Sequence, residues 1–297
     1  MGNSKQLQFI LPKGRIQAKV IKILTRIGLE FSIDDRSYRP GCNDPDISVK
    51  LLKPQNIPSL VSLGRHDCGF TGYDWIVEQD AEVEELIDLG FDPVELVAAV
   101  PDELAVNDEW KNRRLVVASE YRNLAKKFIA KNDLNAVYLQ TYGATEAMPP
   151  EDADLIIDNT ATGATLRRNR LTVVNSFMRS TTRFICNRET LEIPWKRKRL
   201  EEIQTIINSA LLADRRVLLE MNVDNDRFDN VIEILPCMRS PTVSPLHNEA
   251  GFAVKAAVPV KDVPKLIPDL IQAGARDILE YKLEKIVDTA KVNGEQP

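Results

Sequence analysis

ADLIIDNTATGATLRRN spans residues 153–169. Leu155, Ile156 and Ile157 make a short apolar strand, Thr160 to Gly163 a turn, and ATLRRN the start of a helix. Strand, turn and helix in this order are the repeating unit of α/β folds. Pleating sets Asp154, Ile156 and Asp158 on one face, with Asp158 at the C-terminal end of the strand. Ligands bind at that end in open α/β sheets. The hydroxyls of Thr160, Thr162 and Thr165, the backbone approach allowed by Gly163, and the charges of Arg167 and Arg168 suit a phosphate. The Asp158 carboxylate suits sugar hydroxyls. An ordinary strand-to-helix turn capped by Asp and Thr uses the same residue types, so the run alone leaves both readings open.

Outward from this run, strands and helices alternate. LQFIL at 7–11 is a strand, followed by the turn PKG and a helix from Ile16 to Ile27. Ile47–Leu51 is the next strand, PQNIPSLVSLG a Pro-started helix, and HDCGFTGYDWIVEQ a strand, glycine turn and helix. VELVAAV at 94–100 is a strand stopped by Pro101. A second cycle follows: RLVVAS, a helix after Ser119 as N-cap, NAVYLQ, the turn TYGATE, LIIDN, and TRFICN. Such alternation predicts largely parallel sheets with helices on both faces. Chain crossings near residues 100 and 185 predict two lobes, residues 1–100 with 185–213 forming the first and an inserted 101–184 the second. A ligand cleft is expected between these lobes.

The pattern changes after a helix at 195–212. RVLLEMNV, NDRFDNVIEILPCM, GFAVKAAVP, VKDVPKLIPDLIQAGA and DILEYKLEKIV give strand, helix, strand, helix, strand. A ferredoxin-like β-α-β-β-α-β unit needs one more strand, and it must come from 240–247. The predicted small domain covers 214–290, with a flexible tail at 291–297.

Composition narrows the function. The 297 residues suffice for two or three domains, and 43% hydrophobic with 28% charged is a globular balance. A net charge of -5 argues against a general nucleic-acid binder. No apolar run has the length of a membrane span, and the first residues lack the stretch and cleavage site of a signal peptide. A cytoplasmic protein without membrane partners is the expectation. The 4 cysteines are scattered, and the 2 histidines give zinc chemistry and His-based triads little to work with.

Other turns carry candidate chemistry. Lys13 and Arg15 in LPKGR follow a strand and precede a helix, suiting either a di- or triphosphate or plain solvent. Gly69, Thr71 and Gly72 form a second ligand-ready turn, with Asp74 as a helix cap. TYGATE supplies Glu146 beside the Asp158 strand, and Tyr142 reads as a packing residue. KRKR at 196–199 opens an amphipathic helix and reads as its solvated face. Trp75, Trp110 and Trp195 read as core or interface residues rather than stacking platforms.

Taken together, the chain resembles the long, regulated form of the ATP phosphoribosyltransferase family over nearly its whole length. LPKGR matches the opening motif, and LLKPQNIPSLVSLGRHDCGFTGYDWIVE and EELIDLGF match first-domain blocks. YGATEAMPPEDADLIIDNTATGATLRRN is similar to the phosphoribosyl-diphosphate segment, and LLEMNV with SPTVSPL to the regulatory domain. The resemblance implies two lobes like those of periplasmic binding proteins plus a ferredoxin-like regulatory domain. It implies transfer of phosphoribosyl from 5-phosphoribosyl 1-diphosphate to N1 of ATP, with Mg2+ as cofactor, in dimers and hexamers inhibited by histidine. AMP and ADP are implied inhibitors at the active site.

Carried onto this chain, the resemblance assigns Asp158 to the ribose hydroxyls. Thr160, Ala161, Thr162, Gly163, Ala164 and Thr165 go to the 5′-phosphate. Glu146 faces the same cleft. Lys13, Arg15, Gly69 and Thr71 border the ATP and diphosphate end, and Glu220 and Thr242 line the histidine pocket. The magnesium ligands are not assigned. Two other functions fit the same scaffold: a non-enzymatic solute-binding or regulatory protein, and a phosphoribosyltransferase acting on another base.

Overall fold

The computed structural model describes residues 6–34, 37–106, 109–238 and 240–288. Among these, 6–25 and 29–198 form one unit, and 26–28 with the residues from Arg199 onward form another. The expected tail at 291–297 lies outside the described residues.

In the first unit the chain runs β1 (Leu7–Pro12), α1 (Gln17–Arg26), a short pair β2 (Phe31–Ser32) and β3 (Gly41–Cys42), and β4 (Ile47–Leu52). Then come α2 (Ile57–Ser62), β5 (Cys68–Gly72), α3 (Tyr73–Gln79) and β6 (Glu84–Asp88). A second stretch holds β7 (Val94–Pro101), α4 (Asp102–Ala105), β8 (Leu115–Ser119), α5 (Arg122–Lys131) and β9 (Ala136–Gln140). It continues through β10 (Leu155–Thr160), α6 (Ala164–Arg168) and β11 (Leu171–Ser180), and the chain then returns as β12 (Thr182–Cys186) and α7 (Pro194–Ala213).

Two five-stranded sheets result, ordered β4-β1-β5-β12-β6 and β11-β7-β10-β8-β9. In the first, β1 runs parallel to β4 and β5 while β12 is antiparallel to β5 and β6. Phe9, Phe70 and Phe184 stack on one face, with centroids 5.7, 5.9 and 4.6 Å apart. On the other face Ile10 and Ile185 pack with Ile57, Val61 and Ile76. Both faces are thus covered, as an α/β sheet requires. In the second sheet, Leu155 and Ile157 face the α5 side with Ala125 and Phe128, and Ile156 faces the α6 side with Leu166.

Three expectations are corrected here. The strand at 94–100 does not belong to the first lobe: β7 lies between β10 and β11 and pairs antiparallel with both. The chain therefore changes sheets between residues 88 and 94 and again between 180 and 182, not near 100 and 185. The ten-residue β11 was not foreseen, because two bulges break its alternation and much of it is exposed. Part of α7 also leaves the first lobe, since residues from Arg199 onward belong to the C-terminal unit. Ser119 is not the N-cap of α5. Tyr121 holds that position, and its N–H donates to Ser119 Oγ at 2.9 Å.

The C-terminal unit contains β13 (Arg216–Val223), α8 (Phe228–Ile234), β14 (Thr242–Pro245), β15 (Phe252–Pro259), α9 (Val263–Ala273) and β16 (Ala275–Lys282). The sheet order β14-β15-β13-β16, antiparallel throughout, is the ferredoxin-like arrangement. The missing strand is β14, inside the predicted 240–247. Met221, Val254 and Leu270 are fully buried between sheet and helices. Arg26 groups with this unit, and its guanidinium donates to the carbonyls of Leu283 and Glu284 at 3.1 and 2.8 Å.

Candidate active site

Strands β8, β9 and β10 run parallel, so their C-terminal ends share one edge of the second sheet. Three loops collect there: 119–121, 141–147 and 160–164. Asp158 reaches this edge on the α6 side of the sheet, continuing the row of Ile156. Its carboxyl is pushed up to about 7, first by burial and then by the charges of Glu146 and Glu120, with the Asn159 N–H and Arg15 opposing. Two carboxylates and an arginine therefore act on Asp158. Glu146 was expected in this neighbourhood, and Arg15 at the ATP and diphosphate end. Glu120 was missed, although its place just after β8 puts it at the same edge.

The turn after β10 is built by its own side chains. Gly163 sits at φ 70° as the N-cap of α6, a left-handed conformation that glycine adopts freely. Its N–H donates to Thr160 Oγ1 at 2.9 Å, and the Ala164 N–H donates to Thr162 Oγ1 at 3.4 Å. The hydroxyls of Thr160 and Thr162 thus shape the loop, while Ala161, Thr162 and Thr165 stay exposed toward solvent. In the neighbouring loop, Thr141 and Thr145 are buried and their hydroxyls lie 2.7 Å apart. That contact fixes the turn carrying Glu146. Tyr142 in the same turn is 91% exposed, which corrects its reading as a packing residue.

Lys13 and Arg15 occupy the turn after β1. The Lys13 ammonium lies 4.9 Å from the Tyr38 ring centroid, and Arg15 is exposed. Gly69 and Thr71 do not fit their expected role. Gly69 is buried inside β5, where a Cβ would come within 2.9 Å of the Ile10 carbonyl and of Ile57 Cγ2. Glycine is required there for packing. Thr71 is fully buried and donates to the Pro54 carbonyl at 3.0 Å. Asp67, in the same motif, is also structural: it accepts from the Gln8 N–H at 2.7 Å and from Thr190 Oγ1 at 2.9 Å, and pairs with Lys196. Lys196 is therefore not on a solvated helix face, unlike the expectation for KRKR.

Sequence reasoning also missed a buried polar chain behind Asp158. Asp74, read as a simple cap, accepts from the Tyr121 hydroxyl and the Ser180 hydroxyl, each at 2.6 Å. Asn159 Nδ2 donates to the Tyr121 oxygen at 2.9 Å. Trp75 stacks on Tyr121 at 4.5 Å between centroids. Glu78 of α3 accepts from the N–H groups of Asn123 and Leu124, capping α5 from outside its own segment. Only tertiary structure brings these residues together.

In the C-terminal unit, Glu220, Lys255 and Thr242 form one row across β13, β15 and β14. Lys255 Nζ lies 3.0 Å from Glu220 Oε1. The two expected residues thus share a row of one sheet, with an unforeseen lysine between them.

A family model described as ATP phosphoribosyltransferase matches residues 53–209, and one for the HisG C-terminal domain matches 213–285. An ATP phosphoribosyltransferase of Chlorobium luteolum is 38% identical over 291 residues, covering 96% of this chain and 99% of the relative. This chain belongs to the ATP phosphoribosyltransferase family.

A relative of the same name from Thermodesulfovibrio yellowstonii is 38% identical over 290 residues, covering 95% and 99% of the two chains. Among solved structures, a chain of the ATP phosphoribosyl transferase (HisG:HisZ) complex from Thermotoga maritima superposes with a TM-score of 0.61 at 23% identity. It covers 68% of this chain and 99% of its own length, and supports the fold. The match to the C-terminal domain makes this the long form of the ATP phosphoribosyltransferases. The enzyme is a pentosyltransferase of histidine biosynthesis: it joins the phosphoribosyl group of 5-phosphoribosyl 1-diphosphate to N1 of ATP and releases diphosphate. No helix among the described residues is long and apolar enough to cross a membrane.

Proposed function

We propose that Asp158 holds the ribose hydroxyls of 5-phosphoribosyl 1-diphosphate, while residues 160–165 cradle the 5′-phosphate through backbone N–H groups and threonine hydroxyls. The observation that carries this reading is the convergence on the Asp158 carboxyl of Glu146 and Glu120 from the same sheet edge and of Arg15 from the turn after β1. The Gly163 and Ala164 N–H groups donate to Thr160 Oγ1 and Thr162 Oγ1, so the two hydroxyls keep their O–H groups to donate to the phosphate beside the remaining backbone N–H groups. Lys13 and Arg15 border the diphosphate and ATP. Gly69 and Thr71 serve this end only by packing beneath it.

The chemistry suits these residue types. C1 of the ribose gains positive charge as diphosphate departs, and nearby carboxylates stabilise it. N1 of adenine is already nucleophilic at neutral pH, so Glu146 positions substrate rather than removing a proton. Closure of the lobes of residues 6–88 with 182–198 and of 94–180 excludes the water that would otherwise attack the sugar. The cofactor in this reading is Mg2+. Among the described residues no three His, Cys, Asp or Glu side chains form a metal-binding group. Mg2+ commonly takes one or two carboxylates and completes its shell with substrate phosphates and water. Glu146 and Asp158 are the carboxylates at hand, and the bound ion would neutralise charge on the diphosphate.

The C-terminal unit is read as the regulatory domain. Histidine binds at Glu220 and Thr242, the enzyme forms dimers and hexamers in the cytoplasm, and AMP and ADP inhibit at the ATP end. Support comes from the shared row of Glu220 and Thr242. Titration calorimetry with 5-phosphoribosyl 1-diphosphate and Mg2+ tests the substrate assignment. Asp158→Ala is expected to weaken binding by at least about tenfold; unchanged affinity rejects it.

A further inference from the structure

Behind the sheet edge that carries Asp158, a buried hydrogen-bonded chain joins the two lobes. Asp158 and Asn159 are consecutive, so their side chains leave opposite faces of β10. The Asn159 N–H donates to Asp158 Oδ1 at 2.7 Å, and its side-chain amide donates to the Tyr121 oxygen at 2.9 Å. Tyr121 is 1% exposed, and its hydroxyl donates to Asp74 Oδ2 at 2.6 Å. Asp74 belongs to α3 of the other lobe, and its second oxygen accepts from Ser180, where the chain leaves the second sheet.

The tyrosine is held from three sides. Trp75 stacks on its ring, the Asp74 carboxylate accepts its hydroxyl hydrogen bond, and Glu78 fixes the first turn of the helix it caps. A phenol so fixed is a rigid acceptor for Asn159, and a satisfied buried network holds its members in one arrangement. Asn159 in turn fixes the peptide unit whose N–H sets the Asp158 carboxylate. Catalysis by preorganised groups depends on such support, because small displacements of a binding group cost large factors in rate.

We infer that Tyr121 is a positioning residue for the phosphoribosyl site: through Asn159 it holds the Asp158 carboxylate in the geometry that receives the ribose hydroxyls, with Asp74 of the opposite lobe as its anchor. The inference rests on the assignment of Asp158 to the ribose. It adds that one lobe sets the substrate carboxylate of the other.

Steady-state kinetics of Tyr121→Phe, Asn159→Ala and the double variant test it, with Asp158→Asn as reference. Tyr121→Phe keeps the ring on Trp75 and removes only the hydroxyl. Both single variants should raise KM for 5-phosphoribosyl 1-diphosphate by about tenfold while KM for ATP stays within about twofold. The double variant should be no worse than the poorer single variant, because both cut one hydrogen bond. A fall in turnover with both KM values unchanged, or effects that multiply in the double variant, overturns the inference. If Asp158→Asn alone leaves substrate binding intact, the ribose assignment fails as well; if it acts and the other variants do not, only the role of Tyr121 fails.

Discussion

Asp67 and Lys196 form a buried ion pair, with the lysine Nζ 2.7 and 2.8 Å from the two carboxylate oxygens. Their side chains retain only 11% and 13% exposure. The pair ties the entrance of β5 to the first turn of α7, and Asp67 also receives the Gln8 N–H and the Thr190 hydroxyl. A pair so enclosed has small net worth, but removing one partner strands the other charge. Lys196→Met should therefore destabilise the first unit by about 3 kcal/mol in denaturant unfolding. Adding Asp67→Asn should recover part of that loss.

The raised carboxyl of Asp158 carries a stability signature. Its value in the folded protein is about 7, against 3.8 for an ordinary aspartate. The folded state thus binds the proton more tightly than the unfolded chain, so the group's contribution is fully present at acid pH. It is lost as pH rises from about 4 through about 7. Asp158→Asn should consequently unfold at higher denaturant than the parent at about pH 8, by roughly 2 kcal/mol, and the gain should vanish near pH 4. A parent and variant that differ equally at both pH values would contradict the raised carboxyl.

Regulation has its own test at the sheet of the C-terminal unit. Glu220 pairs with Lys255 there, and a ligand ammonium group competes for the same carboxylate. Glu220→Gln should raise the histidine concentration for half-inhibition at least about tenfold with turnover preserved. Inhibition curves for parent and variant, with oligomer size measured alongside, decide the matter.

Much of this architecture is legible in the chain. The apolar runs at 7–11 and 155–157 mark strands because both sheet faces are covered, the alternation at 47–51 marks the edge strand β4, and the turn residues around Gly163 mark the loop between β10 and α6. The ferredoxin-like unit is readable even where β14 is short, since the topology demands a strand there. β6 and β11 are not readable: the first is largely charged, and the second loses its alternation to bulges. Gly69 and Thr71 sit in a motif that resembles a ligand turn, yet their surroundings are the Ile10 backbone and the Pro54 carbonyl. Motif spacing cannot separate a glycine kept for packing from one kept for a ligand. The Asp74–Tyr121–Asn159 chain joins residues far apart in sequence, so no local pattern announces it.

An ionised Asp158 is what holds the sugar. Diphosphate release by the parent and Asp158→Asn, followed from about pH 5.5 to about 8.5 with saturating ATP, tests this most directly. For the parent, kcat/KM for 5-phosphoribosyl 1-diphosphate should climb with pH and level off above about 7. The variant should fall at least about 100-fold below it at pH 8 and lose that limb of the profile. A folded Asp158→Asn enzyme that stays within about twofold of the parent across this range would contradict the account.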